Sequence, residues 1–306
     1  MKNKLKHLVP VLLALATITG SLSACELKPK AQQKVSKQGF YFDTIIQITL
    51  YGTTDEKYID GCFDMAKKYE DMLSNTVSYS EVSKINDAAG KEYVTVSDDT
   101  LELIKNGIEY GDTSDGRFDI TIGKLSDLWN FSEIAENTDS KDNEVDASVV
   151  PSDAQIQSEL SHVNYRNIQI NGNDVMLTDS KAKLDLGGIA KGFIADKMKA
   201  YLQSKKITSG IINLGGNVLT VGEKSDGSDY TVGIQKPFDE SGEPICTVKI
   251  KDKSVVTSGI YERYYRVDGK LYHHILDTTT GYPVKNNLYS VTIISDSSCD
   301  GDALST

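Results

Sequence analysis

The sequence predicts an α+β fold, a single domain in which antiparallel sheet predominates and helices flank it. Residues 165–170 and 174–178 are separated by N-G-N and have the pattern of a β-hairpin. A run of short strand-like segments fills residues 230–294, and one long helical segment lies between the two groups of strands. This order favours an α+β arrangement over repeated βαβ units, and the chain has no internal repeat of fixed period.

The N-terminal segment has the pattern of a bacterial export signal. Three lysines precede the apolar residues 8–18, which are too few to span a bilayer comfortably. Residues 22–25, L-S-A-C, resemble a bacterial lipobox, in which the cysteine is lipidated and becomes the new N-terminus. We therefore predict that residues 1–24 are a lipoprotein signal peptide and that Cys25 carries the lipid. An ordinary secretory signal that is cleaved nearby is the alternative.

The residues after this signal are polar and predict a tether over 25–38, followed by a folded domain over 39–306. We expect this domain to lie at the extracytoplasmic face of the bacterial cell membrane, to which the lipid at Cys25 anchors it. The formal charge of −11 becomes −14 once residues 1–24 are removed, because they hold three lysines and no acid. So acidic a protein is not expected to bind nucleic acid. A phosphate ligand on it would need a bound cation.

The N-terminal half is predicted to contain one strand followed by several helices. Apolar residues at helical spacing mark the helices. The acidic residues 132–148 have few apolar neighbours and predict a solvated insertion. The predicted elements are a strand over residues 40–51, helices over 55–73, 80–85 and 98–110, an alternating strand-like segment over 118–122, and a short helix that begins with a capping box at Ser152 and Gln155.

A glycine-rich element, K-L-D-L-G-G-I-A-K-G-F-I-A-D-K-M-K, occupies residues 183–199. Its leucines alternate with charged residues as in a short strand, Gly187 and Gly188 end that strand, and a helix follows. The free N–H groups of a helix N-terminus can hold an anion, and Lys191 adds a cation within one turn. The pattern matches neither the dinucleotide-binding fingerprint nor the P-loop. A helix start that needs glycine only for packing is the alternative.

The C-terminal third carries the densest group of polar residues with possible chemistry. His273 and His274 are adjacent, so in a strand they point to opposite faces and at most one faces a given site. A histidine there can act as a general base or as a structural, hydrogen-bonded residue. Asp302 and Thr306 are four residues apart, so on a helix they share one face and suit a cation such as Mg²⁺. Helix N-capping by Asp302 is the alternative.

The remaining cysteines, Cys62, Cys246 and Cys299, have no C-x-x-C spacing and suggest neither a disulfide framework nor a zinc site. We predict that all three are buried, small apolar residues. The sequence stops at Thr306, before the predicted final helix is complete, and we expect the natural chain to continue.

Together these stretches resemble the FAD:protein FMN transferase family, called ApbE. The resemblance extends over about residues 40–306. Its motifs occur in the family's order and are G-R-F-D-I-T-I-G-K-L, D-L-G-G-I-A-K-G-F-I-A-D, I-N-L-G-G-N-V, V-V-T-S-G-I-Y-E-R-Y-Y, H-H-I-L-D-T-T-T-G-Y-P-V and D-A-L-S-T. The resemblance implies a T-fold-like single domain. It also implies an enzyme that transfers FMN from FAD to a threonine or serine hydroxyl of an acceptor protein and releases AMP.

The resemblance also implies a Mg²⁺ site and a catalytic base. The backbone carbonyl of Gly188 and the side chains of Asp302 and Thr306 match the family's metal ligands. His274 matches the histidine that assists the acceptor hydroxyl. An FAD pyrophosphatase that forms FMN and AMP, and a flavin-binding lipoprotein without catalytic activity, remain as alternatives.

Further positions match the family's contacts with FAD, which is the substrate. Asp185 and Lys191 match contacts in the glycine-rich element. Asp119, Ile120 and Thr121 fall where the family lines the flavin or adenine pocket.

Overall fold

The computed structural model describes residues 33–138, 140, 143–239, 241 and 243–306, and a six-stranded antiparallel sheet lies at its centre. The strands are β1 Lys34–Tyr41, β2 Thr44–Tyr51, β3 Val94–Thr95, β4 Ile168–Asn171, β5 Asp174–Leu177, β6 Ser209–Leu214, β7 Asn217–Gly222, β8 Tyr230–Gln235, β9 Pro244–Ile250, β10 Ser254–Gly259, β11 Tyr264–Val267, β12 Lys270–His273 and β13 Ser290–Ser295. The helices are α1 Lys57–Leu73, α2 Glu81–Asp87, α3 Asp98–Thr113, α4 Gly123–Trp129, α5 Phe131–Glu136, α6 Asp153–Leu160, α7 Ala190–Ser204 and α8 Ser298–Ser305.

The central sheet has the strand order β1-β2-β6-β7-β10-β13, and every neighbouring pair is antiparallel. Alternate residues of its strands are apolar and buried, as Ile46, Ile48 and Leu50 of β2 show. These residues share one face of the sheet. Helices α1 and α7 pack on the sheet and complete the main core.

Helix α7 occupies the middle of this core because apolar residues surround much of its circumference. Phe193, Ile194, Met198 and Leu202 are all buried. The helix packs against α1, β6 and β7, and most extensively against α8. Helix α8 in turn lies on β10 and β13. The glycine-rich element and the C-terminal segment are therefore neighbours in the fold, although more than 100 residues separate Gly192 from Asp302 in sequence.

Three smaller sheets surround the central one, with the strand orders β3-β5-β4, β8-β9 and β11-β12. A second apolar cluster forms between α4, α5, α6 and the β11-β12 hairpin. Trp129 is fully buried in it, and the indole Nε1–H donates a 2.8 Å hydrogen bond to the carbonyl of Gly281. This cluster fixes the loop that follows β12.

The predicted α+β single domain rich in antiparallel sheet is confirmed, since residues 33–306 form one compact unit. The hairpin is present as β4 and β5. The capping box is also present, because Ser152 Oγ accepts a hydrogen bond from Gln155 N and the Gln155 side chain accepts one from Ser152 N. None of the helices among these residues is long and apolar enough to cross a bilayer.

Several predicted boundaries were wrong. Residues 34–38, which were predicted to be tether, belong to β1, and the segment over 40–51 is two strands rather than one. The segment over 118–122 is a turn rather than a strand. Residues 132–136 of the predicted insertion form most of α5, and none of the described residues over 132–148 is buried, as expected of a solvated segment.

The cysteines differ from one another in their surroundings. Cys62 and Cys299 are buried, as predicted. Cys246 is exposed on β9, so the prediction of burial was wrong there, because β8 and β9 form a separate two-stranded sheet with an open face. Cys25, the predicted lipid attachment site, lies outside the described residues.

Candidate active site

A tight turn over residues 185–189 leads into α7. The Gly187 N–H donates a 2.8 Å hydrogen bond to Asp185 Oδ1, so the aspartate side chain closes the turn. The N–H groups of Ile189 and Ala190 both donate to the carbonyl of Leu186, and the helix begins. Asp185 therefore shapes the glycine turn, and its predicted contact with FAD stays a prediction.

Gly192 brings α7 and α8 into contact. A Cβ on residue 192 would lie 2.2 Å from the carbonyl oxygen of Ser298 and 2.8 Å from the Cβ of Asp302, which leaves no room for any side chain. The packing role considered for the glycines is thus correct at this position. The close approach has a chemical consequence as well. The N–H of Gly192 belongs to the first turn of α7, where a helix provides no acceptor, and it donates a 2.9 Å hydrogen bond to Asp302 Oδ2.

The end of α8 lies next to the glycine turn. A Cβ on Gly188 would be 3.8 Å from Cγ2 of Thr306 and 3.0 Å from the ring of Phe118. The hydroxyl of Thr306 donates a 3.0 Å hydrogen bond to the carbonyl of Asp302, so its oxygen lone pairs stay available for a cation. The structure therefore brings the three predicted metal-binding positions, at residues 188, 302 and 306, into one cluster.

Asp302 lies in the interior of α8 and is 4% exposed. Ser297 is the N-cap residue, because its hydroxyl accepts a hydrogen bond from the Asp300 N–H, so the N-cap alternative for Asp302 was wrong. Burial raises the pKa of Asp302, while the charge of Lys191 and the hydrogen bond from Gly192 act in the opposite direction. A carboxylate held in this way favours a bound cation, which would stabilise the charged form.

The donor atoms fit Mg²⁺ in kind. Among the described residues, no three His, Cys, Asp or Glu side chains come together as a metal-binding group. A cation here would rest on one carboxylate, one backbone carbonyl and one hydroxyl. Magnesium binds through oxygen atoms, uses one or two carboxylates together with substrate phosphates, and keeps several waters. This set of ligands is typical of a cation that also binds a phosphate-containing substrate.

His274 follows β12 and lies half-buried beside the β10–β11 loop. Its Nδ1 lies 3.2 Å from the carbonyl of Arg263. Because a carbonyl only accepts, Nδ1 carries the proton and Nε2 keeps the free lone pair. Burial, together with the charges of Arg263 and Lys191, lowers the pKa of His274 to about 3. The ring is therefore neutral near pH 7 and able to accept a proton at Nε2.

His273 has a structural role instead. It is 4% exposed, and its Nε2 donates to the carbonyl of Val284 at 3.1 Å. Burial lowers the pKa of His273, so this ring is also neutral near pH 7. Of the two adjacent histidines, His274 is the one beside the charged residues of the site.

Lys191 is the cation at the centre of this cluster. It lies in the first turn of α7, and its charge acts on Asp302, Glu262 and His274 together. Glu262 is open to solvent on one side and surrounded by protein atoms on the other. This partial burial raises the pKa of Glu262, while Lys191 and Arg263 act in the opposite direction. The charge of Lys191 therefore acts on both a proposed metal ligand and the predicted base.

The side chains of Asp119, Ile120 and Thr121 have partners inside the protein. Asp119 accepts hydrogen bonds from Thr121 N at 2.8 Å, Thr121 Oγ1 at 2.6 Å and Tyr165 N at 2.8 Å. Ile120 is 1% exposed and belongs to the main core. These residues shape the turn that faces the glycine-rich element, and the Ile120 carbonyl accepts from Asp185 N at 2.8 Å. Their contact with the flavin or adenine stays a prediction.

Three residues around the cluster were given no role by the sequence analysis. The Ser258 hydroxyl lies 2.8 Å from Ser305 Oγ and 3.3 Å from Thr306 Oγ1, so β10 supports the end of α8. The ring of Phe118 lies against Gly188, and the charge of Lys191 acts on Glu262. The motif V-V-T-S-G-I-Y-E-R, which is part of the family resemblance, contains Ser258 and Glu262 and was the available signal for them.

Comparisons with known proteins identify the family of this chain. The ApbE family model matches residues 42–306. An FAD:protein FMN transferase of Klebsiella pneumoniae is 38% identical over 263 residues, which cover 85% of this chain and 77% of the relative. A second, of Vibrio cholerae, is 30% identical over 298 residues, covering 96% and 85%. The crystal structure of the ApbE protein from Thermotoga maritima superposes with a TM-score of 0.79 at 33% identity and covers 89% of this chain and 85% of that chain.

The likeness to FAD:protein FMN transferases spans nearly all of the folded chain. The protein is therefore an enzyme of the transferase class. The chain belongs to the ApbE family, because the family model and a 38% identical relative both cover most of it. The resemblance drawn from the sequence motifs is thereby confirmed.

Proposed function

We propose that the protein transfers FMN from FAD to a threonine or serine hydroxyl of an acceptor protein, with Mg²⁺ as cofactor and AMP as the second product. The proposal is supported by the grouping of the site residues around the start of α7. Asp302 and Thr306 lie against the segment that holds Gly188, Lys191 and Gly192, and the charge of Lys191 acts on both Asp302 and His274.

The first task of the site is to hold the pyrophosphate of FAD. The positive end of the α7 dipole and the ammonium group of Lys191, in the first turn of that helix, provide positive charge for it. The carbonyl of Gly188, the carboxylate of Asp302 and the hydroxyl of Thr306 would hold Mg²⁺ beside it. A bound Mg²⁺ supplies charge that neutralises the phosphate oxygens. Such neutralisation matters in a chain of net charge −11.

The second task is to accept a proton from the attacking hydroxyl. The free lone pair at Nε2 of His274 can accept it, because Nδ1 is held by the carbonyl of Arg263. The acceptor oxygen forms a bond to the phosphorus of the FMN half, and the bond from that phosphorus to the bridging oxygen breaks. The bridging oxygen leaves with AMP, which takes the electron pair, and the proton stays on the imidazole. The product is an FMN phosphoester of the acceptor.

The assay that tests the proposal measures AMP and acceptor mass together. The purified protein is incubated with FAD and MgCl₂, with and without an acceptor that the Vibrio cholerae relative modifies. We expect AMP release that depends on the acceptor, and an acceptor heavier by one FMN less one water. AMP released equally without acceptor would show an FAD pyrophosphatase instead, and FAD binding without AMP would show a flavin-binding protein.

We further propose that a lipid on Cys25 attaches the protein to the extracytoplasmic face of the cell membrane. The support is the L-S-A-C sequence after an apolar segment. If Cys25 carries the lipid, the Cys25→Ser variant should lack it and should no longer be found in the membrane fraction. Labelling growing cells with a radioactive fatty acid tests this, and an equally labelled Cys25→Ser protein would contradict it.

A further inference from the structure

Asp196 holds the N-terminus of α8 from the neighbouring helix α7. Its carboxylate accepts hydrogen bonds from Ser297 Oγ at 2.9 Å, Ser298 N at 2.9 Å and Cys299 N at 3.0 Å. The two backbone donors belong to the first turn of α8 and have no partner within that helix. Asp196 of α7 therefore caps α8 from a neighbouring helix. Ser297, the residue directly before α8, provides a second cap.

The contacts between these helices recur at a spacing of four residues. Positions 188, 192 and 196 fall on one side of the segment that leads into and forms α7. Gly188 lies beside Thr306, Gly192 donates to Asp302, and Asp196 caps the first turn of α8. Helix α8 is thus attached to this side of α7 at its beginning and at its centre. The distance from the Gly188 carbonyl to the α8 ligands depends on both attachments.

A buried network on the other side of α8 supports the same placement. Ser298 Oγ donates to Asn217 Oδ1 at 2.6 Å and accepts a 3.1 Å hydrogen bond from Ser254 Oγ. Asn217 is 1% exposed, and its Nδ2 has no hydrogen-bond partner among the described residues. This amide lies close enough to Asp302 to favour the charged carboxylate. The start of α8 is therefore fixed by polar contacts from two directions.

We propose that Asp196 is a positioning residue for the metal site. It orients α8 so that Asp302 and Thr306 face the carbonyl of Gly188. This inference rests on the proposed function, in which these three groups hold Mg²⁺. Partners that orient metal ligands without touching the metal typically change metal affinity by about 10–100-fold when they are replaced. Asparagine at position 196 keeps one acceptor oxygen but loses the second, together with the negative charge.

The test measures Mn²⁺ binding directly, by the paramagnetic resonance signal of free Mn²⁺ during a titration of the protein with FAD present. We expect Asp196→Asn to weaken Mn²⁺ binding by about 10–100-fold. The rate of FMN transfer at saturating metal should return close to that of the wild type, because the chemical groups are unchanged. Lys199→Gln is the matched control. Lys199 lies on the same helix, but it pairs with Asp252 at 2.8 Å rather than with α8, so its variant should bind Mn²⁺ like the wild type.

The possible results separate this inference from the function on which it rests. If Asp196→Asn binds Mn²⁺ as tightly as Lys199→Gln does, the positioning role is wrong while the metal site stands. If the wild type binds no Mn²⁺, the metal part of the proposed function is wrong and this inference falls with it. Should Asp196→Asn fail to fold, Ser297→Ala removes one of the three hydrogen bonds to Asp196, together with the N-cap bond from the Asp300 N–H, and must show a loss of Mn²⁺ affinity. Unchanged affinity in that variant would overturn the proposal.

Discussion

Asp302→Asn is expected to lose metal-dependent FMN transfer while the fold survives. Asparagine has nearly the same shape and keeps an oxygen that can accept the hydrogen bond from Gly192. It removes the only carboxylate among the three proposed Mg²⁺ ligands. We expect a rate loss beyond the roughly 10–100-fold that is typical of replacing a residue outside the coordination shell. The initial rate of AMP release at several MgCl₂ concentrations measures the effect.

The stability of the same variant separates a lost ligand from a damaged fold. Burial raises the pKa of Asp302, so the charged side chain disfavours the folded state when no cation is bound. The metal-free variant should therefore unfold at a temperature equal to or above that of the metal-free wild type. Asp300→Asn is the matched control, because Asp300 lies on the same helix but accepts its hydrogen bond from Tyr110. Full activity of Asp302→Asn, or activity lost equally in the control, would refute the metal assignment.

His274→Gln is expected to lower kcat by about 10²–10⁴-fold, which is the usual contribution of a general base. The binding of FAD should change little, because the pyrophosphate is assigned to Lys191 and the glycine turn. The comparison uses kcat and KM for FAD at saturating acceptor. His162→Gln provides the same substitution at a histidine whose ring lies 2.7 Å from Asp179, and it should behave like the wild type. A His274→Gln enzyme with unchanged kcat would contradict the assignment of the base.

The pH dependence gives a second test of the same residue. The pKa of His274 is lowered to about 3, so the free enzyme keeps the neutral, proton-accepting ring as the pH falls below the usual histidine value of about 6.5. The profile of kcat/KM for FAD should therefore show no loss of activity from this group near pH 6.5. A decline centred there that disappears in His274→Gln would show that the ring titrates normally and is not desolvated.

Local patterns predicted much of the fold and of the proposed site. The spacing of apolar residues predicted α7, and the N-G-N turn predicted the β4–β5 hairpin, because each signal acts over a few neighbouring residues. The proposed metal-binding and base positions followed from motifs rather than from spacing alone. The four-residue separation of Asp302 and Thr306 places Asp302 next to Gly192 and Thr306 next to Gly188 once the two helices pack together.

Other features depend on contacts that the sequence pattern does not reveal. The turn between β1 and β2 contains Phe42 and Asp43 with φ of 55° and 53°, so no glycine signalled the break between the strands. The alternation over 118–122 resembled a strand, but Asp119 binds Thr121 and the backbone of Tyr165, and these bonds turn the chain. The cap that Asp196 forms on α8 joins residues about 100 positions apart.

Anomalous diffraction from crystals grown with FAD and MnCl₂ tests the central claim most directly. The account predicts one anomalous peak within metal–oxygen bonding distance of the Gly188 carbonyl, the Asp302 carboxylate and the Thr306 hydroxyl, with a pyrophosphate oxygen of FAD bound to the same ion. An FAD pyrophosphate bound in another part of the molecule, or a peak distant from Asp302, would contradict it.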